Sequence, residues 1–197
     1  MALHFQGFNS HGPVRIYHRH LPHWRQDGAT YFVTCRLADS LPDHLVRQLE
    51  QLRQTLLARQ GDTAGYLEAD RAYFQAMKHH LAEGHGACWL KRPDVADMIG
   101  AAYRHFDGAR YELGQLCVMP NHTHVLVRPT GEVELEEILH SWKSFTAKRI
   151  NAVVGREGSV WQEESYDRLV RDRVELARIE RYVRNNLLPL AKRDPGW

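Results

Sequence analysis

Two histidines separated by a single residue stand in the segment Met119-Pro120-Asn121-His122-Thr123-His124-Val125-Leu126-Val127. Its apolar alternation predicts a strand. On a strand alternate residues share a face, so His122 and His124 point one way while Thr123, Val125 and Val127 point the other. Side by side, two imidazoles can ligate one divalent metal ion. An HxH pair is short enough to arise incidentally, and by itself it leaves that reading open. The chain has no CxxC pair, which disfavours a structural zinc site. Further along, Val160-Trp161-Gln162-Glu163-Glu164-Ser165-Tyr166-Asp167-Arg168 places Tyr166 among Glu163, Arg168 and Arg171 on what reads as a short helix. Taken alone, a tyrosine there fits core or rim packing as well as chemistry.

The elements that must position these residues can be read from hydrophobic period. Ala29–Leu37 alternates as a strand, and 110–119 with 122–128 form a hairpin through the Pro120-Asn121 turn. Helices are expected over 42–60 and 66–81, from Pro93 to Gly108, and over Leu135–Ile150. Two more should begin near Trp161 and near Asp172, where Asp172 and Glu175 have capping-box spacing. A few strands interspersed with helices imply an α+β domain, a central antiparallel sheet with helices packed on it.

At 197 residues one domain is expected, with 1–26 as a basic N-terminal arm and 27–187 as the core. No apolar run approaches the roughly 18 residues of a membrane span, and no secretory signal opens the chain. Three scattered cysteines suit a reducing cytoplasm. The formal net charge of +2 conceals polarity. Residues 1–26 and 141–156 contain no Asp or Glu, and six arginines lie between Arg168 and Arg184. Such segments can be solvated helix faces, but three of them together favour a surface for a polyanion.

The combination MPNHTHVLV, WQEESYDRLVR and YVRNN, with PHWRQDGATYFVTCRL, CWLKRPDVADMI and LHSWKSFTAKRIN, resembles the REP-associated tyrosine transposases, in the single-tyrosine branch of the HUH superfamily. The resemblance runs over roughly Pro22 to Leu187. It implies an HUH single-tyrosine transposase-like fold and a metal-dependent endonuclease and strand transferase acting on single-stranded DNA. Carried over by position, His122 and His124 would hold Mg²⁺ or Mn²⁺ and Tyr166 would be the nucleophile. Attack on a phosphodiester would then give a 5′-phosphotyrosine and a free 3′-hydroxyl, so that strands can be rejoined without ATP.

The match departs from the family in informative places. Insertion-sequence relatives carry an amide-type third ligand one turn after the tyrosine. Counted from Tyr166 that position is Val170, which cannot ligate, so Glu163 is the expected substitute, ahead of Asp167. The usual Asn-Pro after the last helix reads Asn186-Leu187, with Pro189 displaced. The resemblance implies a partner in palindromic hairpin DNA of repetitive extragenic elements. Arg15, Arg19, Trp24, Arg25, Arg128, Lys143, Lys148 and Arg149 are the expected contacts, cations on phosphates and aromatics on bases. A monomer is expected, as in the REP-associated branch, although insertion-sequence relatives work as dimers. The alternatives are a domesticated protein that binds such DNA without cutting it, and a metal hydrolase of small molecules that would leave the basic segments unexplained.

Overall fold

Strand β5 (His122–Pro129), with the sequence HTHVLVRP, is buried along nearly its whole length and carries both histidines on one face. The computed structural model describes residues 3–18, 22–59 and 63–187. A short hairpin of β1 (Arg15–His18) and β2 (Pro22–Arg25) comes first, followed by β3 (Tyr31–Arg36). Helices α1 (Asp43–Ala58) and α2 (Thr63–Ala82) lead, through a 3₁₀ turn at Trp89–Lys91, to α3 (Pro93–Arg104). Then follow β4 (Tyr111–Val118), β5, α4 (Leu135–Val154), β6 (Tyr166–Leu169) and α5 (Arg173–Asn186). The main sheet has the order β4-β5-β3-β6 with every pair antiparallel. This is the expected α+β architecture.

Two cores flank the sheet. Tyr31, Val33, Val125 and Val127 pack with Ile99 and Tyr103 of α3 and with Ile138 and Trp142 of α4. On the opposite face Phe32, Leu126 and Tyr166 pack with Leu45 and Leu49 of α1, Phe74 and Met77 of α2, and Ile179, Tyr182 and Val183 of α5. The register pairs Thr34 with His124 on one side and with Tyr166 on the other. Both histidines therefore belong to the face covered by α1, α2 and α5. β4 shifts register between Leu113 and Leu116, so Leu113 joins the α3/α4 core whereas Cys117, opposite His124, joins the other. A bulge of this kind changes the parity of a strand. At its start a Cβ on Gly114 would meet Leu126 at 2.9 Å.

The expected helix from Trp161 is not formed. Trp161 makes an isolated bridge to Leu37, and residues 166–169 are an edge strand. Four residues that pair with β3 bury Tyr166 and Leu169 on opposite faces, which a helix could not do. The start of α5 is as expected, since the Asp172 carboxylate accepts the Glu175 N–H at 2.7 Å.

Residues expected to form a basic arm are stitched to the sheet. Phe8 N–H donates to the Val170 carbonyl, and Thr30 N–H to that of Gln6. His23 is buried between two carboxylates, with Nδ1 2.7 Å from Asp167 Oδ1 and Nε2 2.8 Å from Glu164 Oε1. Burial by itself would depress the imidazole, but its hydrogen bonds to the Asp167 and Glu164 carboxylates outweigh it and push the pKa up to about 9. Arg25 Nη1 lies 2.5 Å from the same Asp167. Burial would raise that carboxyl, but the Arg25 charge and His23 hold it down at about 2.

The sign for His23 follows from linkage. Its folded value lies above the ordinary 6.5, so its contribution is complete below pH 6.5 and is lost as pH rises through about 9. Denaturant unfolding of the wild type should lose about 3 kcal/mol across that window. His23→Gln should flatten this slope; an equal slope in both proteins would contradict the assignment.

Candidate active site

The β5 histidines are aimed by their Nδ1 atoms. His122 Nδ1 lies 2.7 Å from Asn121 Oδ1, and because a carbonyl oxygen only accepts, that nitrogen carries the proton. With that nitrogen protonated, the lone pair that His122 can offer a metal is on Nε2. His124 Nδ1 lies 2.8 Å from Thr34 Oγ1 on β3. His124 is fully buried, and burial first, then the charges of His122 and Lys78, hold its pKa well below the usual histidine value. It is neutral, the form that ligates a metal.

The two Nε2 atoms converge to 3.1 Å. Neighbouring ligands at right angles on an octahedral ion of Mg²⁺ size are about 3 Å apart, so the pair spans one edge of such a coordination shell. With the Nδ1 atoms engaged by Asn121 and Thr34, the Nε2 atoms face a common point, the arrangement by which supporting hydrogen bonds orient metal-binding histidines. The residues present therefore fit a divalent ion.

The tyrosine at this point is Tyr182. Its hydroxyl lies 2.8 Å from His124 Nε2, and the ring centroids are 5.0 Å apart. Helix α5 brings it there because Ile179 and Val183 on the same stripe are buried against the sheet. The Lys78 ammonium stands 5.6 Å from the Tyr182 ring centroid. Asn186 follows Tyr182 by four residues, one helical turn on the same face.

Tyr166 occupies a different position. It sits across Thr34 from His124, two strands away or about 10 Å across the sheet. Its hydroxyl donates to Asp70 Oδ1 at 2.9 Å, and its ring stacks on Phe74 at 5.2 Å. Burial, together with the Asp70 charge, raises its pKa well above the ordinary tyrosine value. The expectation of Tyr166 at the histidine pair is corrected accordingly: its hydroxyl is engaged by α2. Glu163 is corrected too. It lines a cleft with Leu139, His140 and Lys143 of α4, the helix on the other face of the sheet from the histidines. One turn on from Tyr166 lies Val170. Counting from Tyr182 in YVRNN leads to the amide of Asn186.

Of the expected DNA contacts, Arg25 is buried and held by Asp167 and Glu136. Arg128 pairs with Glu112, and Arg15 with Asp27 and Glu134. Lys143 donates to the Gln162 and Glu163 carbonyls, and Trp24 packs 5.1 Å from the Tyr66 ring. Lys148 and Arg149 are exposed on α4. Arg19 and Pro189 lie outside the described residues. A concentration of cations forms between α2 and α5, drawn mostly from the Arg-rich 168–184 segment. There Arg71, Arg168, Arg171, Arg178 and Arg181 line a cleft of about 370 Å³ with Phe74, Gln75 and Glu175. Glu175 and Asp70 engage Arg168, and Glu175 also engages Arg171. Phe74, which lines this cleft, lies 6.1 Å from the Tyr182 ring.

Residues 92–186, which include β5 and α5, match the family model described as Transposase IS200 like. That segment is similar to the IS200-like transposases, a family of DNA transposase enzymes. No curated protein matches the chain. A solved REP-associated tyrosine transposase bound to a REP hairpin is 16% identical, with 86% of this chain and 70% of that one covered at a TM-score of 0.41. A candidate transposase from Deinococcus radiodurans is also 16% identical, with 80% and 89% covered at a TM-score of 0.39. The histidine geometry makes a direct prediction. Asn121→Ala frees the His122 ring to rotate and should weaken Mn²⁺ binding about 10- to 100-fold. Titration calorimetry checks this; an unchanged affinity would show that Asn121 does not orient the ligand.

Proposed function

We propose that this chain cuts and rejoins single-stranded DNA, with Tyr182 as the nucleophile and His122, His124 and Asn186 as the protein ligands of a divalent ion. The observation that carries the reading is the 2.8 Å approach of the Tyr182 hydroxyl to His124 Nε2. Asn186 supplies the amide that insertion-sequence relatives place one turn after the tyrosine, which removes the argument for a domesticated protein without a third ligand. When bound, Mg²⁺ or Mn²⁺ supplies electrostatic stabilisation of charge on the non-bridging phosphate oxygens.

The protein's own residues do the rest. Tyr182 is held beside neutral imidazoles, and the adjacent Lys78 charge favours the phenolate that must form. Its oxygen forms a bond to phosphorus as the bond to the 3′ oxygen breaks. That oxygen leaves as a 3′-hydroxyl after gaining a proton, and the 5′ phosphate stays on the tyrosine. Reversal by another 3′-hydroxyl joins strands with no external energy source. The arginine cleft between α2 and α5 is the proposed track for the backbone phosphates, with hairpin DNA as the substrate class.

A labelled single-stranded hairpin with Mn²⁺ tests the nucleophile. Tyr182→Phe should abolish the denaturant-resistant protein–DNA adduct, whereas Tyr166→Phe should retain it and lose about 1 kcal/mol of stability with the Asp70 hydrogen bond. An adduct in Tyr182→Phe, or its loss from folded Tyr166→Phe, would reverse the assignment.

The track has its own test. Arg178→Ala and Arg181→Ala should each weaken hairpin binding. Each should also reduce the slope of log affinity against log salt by about 0.7. Slopes equal to wild type would place the DNA elsewhere.

A further inference from the structure

A second group of metal-ligating side chains stands at the C-terminal end of α2, apart from the β5 pair. The nearest donor atoms of His79, His80 and Glu83 all lie within 4.8 Å of one another. Glu83 follows His79 by four residues and His80 by three, so all three project from one side of the last helical turn. His79 Nε2 is 3.5 Å and His80 Nδ1 3.9 Å from the same Glu83 Oε1. The chain then turns at Gly84, whose φ of +74° is the left-handed conformation open to glycine. This brings His85 Nε2 to 2.6 Å from the other Glu83 oxygen. His80 differs from its neighbours: its Nδ1 is shielded from solvent and makes no hydrogen bond among the described residues. A buried polar nitrogen without a partner is costly, and a metal ion would satisfy it.

We infer that His79, His80 and Glu83, with His85 as a fourth donor, form a second metal site that takes a borderline divalent transition ion such as Zn²⁺. Imidazole and a single carboxylate suit that class, in contrast to the oxygen-rich shells of Mg²⁺. Ligands on a tetrahedral ion at about 2.1 Å are about 3.4 Å apart, so the His79–Glu83 edge already fits and the remaining donors need only side-chain rotation. The end of the helix, where carbonyls carry partial negative charge, adds to the attraction for a cation. Such an ion would clamp the turn after α2. That turn matters to the rest of the molecule, because the His85 carbonyl accepts the Asn121 side-chain N–H at 3.2 Å. The binding itself does not depend on the role given to Tyr182 or to the β5 histidines.

The experiment uses the full-length chain without a purification tag. ZnCl₂ is titrated by calorimetry, and Co²⁺ absorption reports coordination geometry. In the His122→Ala/His124→Ala variant, about one equivalent of Zn²⁺ should still bind saturably, with the visible Co²⁺ bands of a four-coordinate site. Introducing His79→Ala or Glu83→Gln, both on exposed side chains, should weaken that binding at least about tenfold. Should the double variant fail to fold, the same two substitutions in the otherwise wild-type chain should each remove one of its Zn²⁺ equivalents. Absence of saturable Zn²⁺ binding, or binding unaffected by both substitutions, would overturn the inference.

Discussion

The antiparallel register of β3 against β5 places Thr34 opposite His124 and Arg36 opposite His122. Because side chains alternate strictly along a strand, slipping this pairing by one residue would turn both histidines into the α3/α4 core and send valines to the opposite face. The register is held from both sides. Val125 and Val127 are fully buried beneath α3 and α4, whereas Phe32 and Leu126 are fully buried beneath α1, α2 and α5. Neither set tolerates the other's environment, so the hydrophobic pattern that builds the sheet is also what aims the imidazoles. Thr34 has a second role as the hydrogen-bond partner of His124 Nδ1. Fold and site are thus coupled at one pair of strands.

Charge follows a parallel logic at the edge strand. Asp167 points into the protein from β6 and is fully buried, a costly place for a carboxylate unless cations accompany it. The N-terminal hairpin supplies them, Arg25 and His23 from β2. Cations that look free in an acid-free stretch of sequence are therefore consumed in attaching that stretch to the sheet. The arginines near the histidines are different. Arg71, Arg178 and Arg181 are exposed at the lip of a cleft, and those deeper in it, Arg168 and Arg171, are partly neutralised by Glu175. Net charge describes neither population, since burial and pairing decide which guanidinium can meet a phosphate.

What could be read from the chain beforehand followed the strength of its periodic signals. β3, the β4–β5 hairpin, helices α1 to α4 and the Asp172 cap were all legible, because each repeats an apolar spacing or carries a specific turn or cap residue. The edge strand at 166–169 was not. Its Tyr-Asp-Arg-Leu is too short to display a period, and its Asp is buried by partners that lie far away in sequence. The bulge in β4 was equally hidden, since only the packing of Gly114 against Leu126 reveals it. The histidine pair was visible because its spacing is local. The residues that complete it come from α5 and β3, and their convergence depends on tertiary structure.

The choice between the two tyrosines shows how far burial alone misleads. Tyr166 and Tyr182 are both 5% exposed, and both rings contact Phe74. Their hydroxyls face opposite electrostatic surroundings. That of Tyr166 meets Asp70, a carboxylate that opposes formation of a second negative charge. That of Tyr182 meets the neutral His124 imidazole, with the Lys78 ammonium near its ring. A phenol must lose its proton to attack phosphorus, so the environment that penalises the phenolate suits a structural hydrogen bond, and the one that tolerates it suits a nucleophile. The same sheet face therefore holds two equally buried tyrosines whose hydroxyls meet different partners, Asp70 on α2 and His124 on β5.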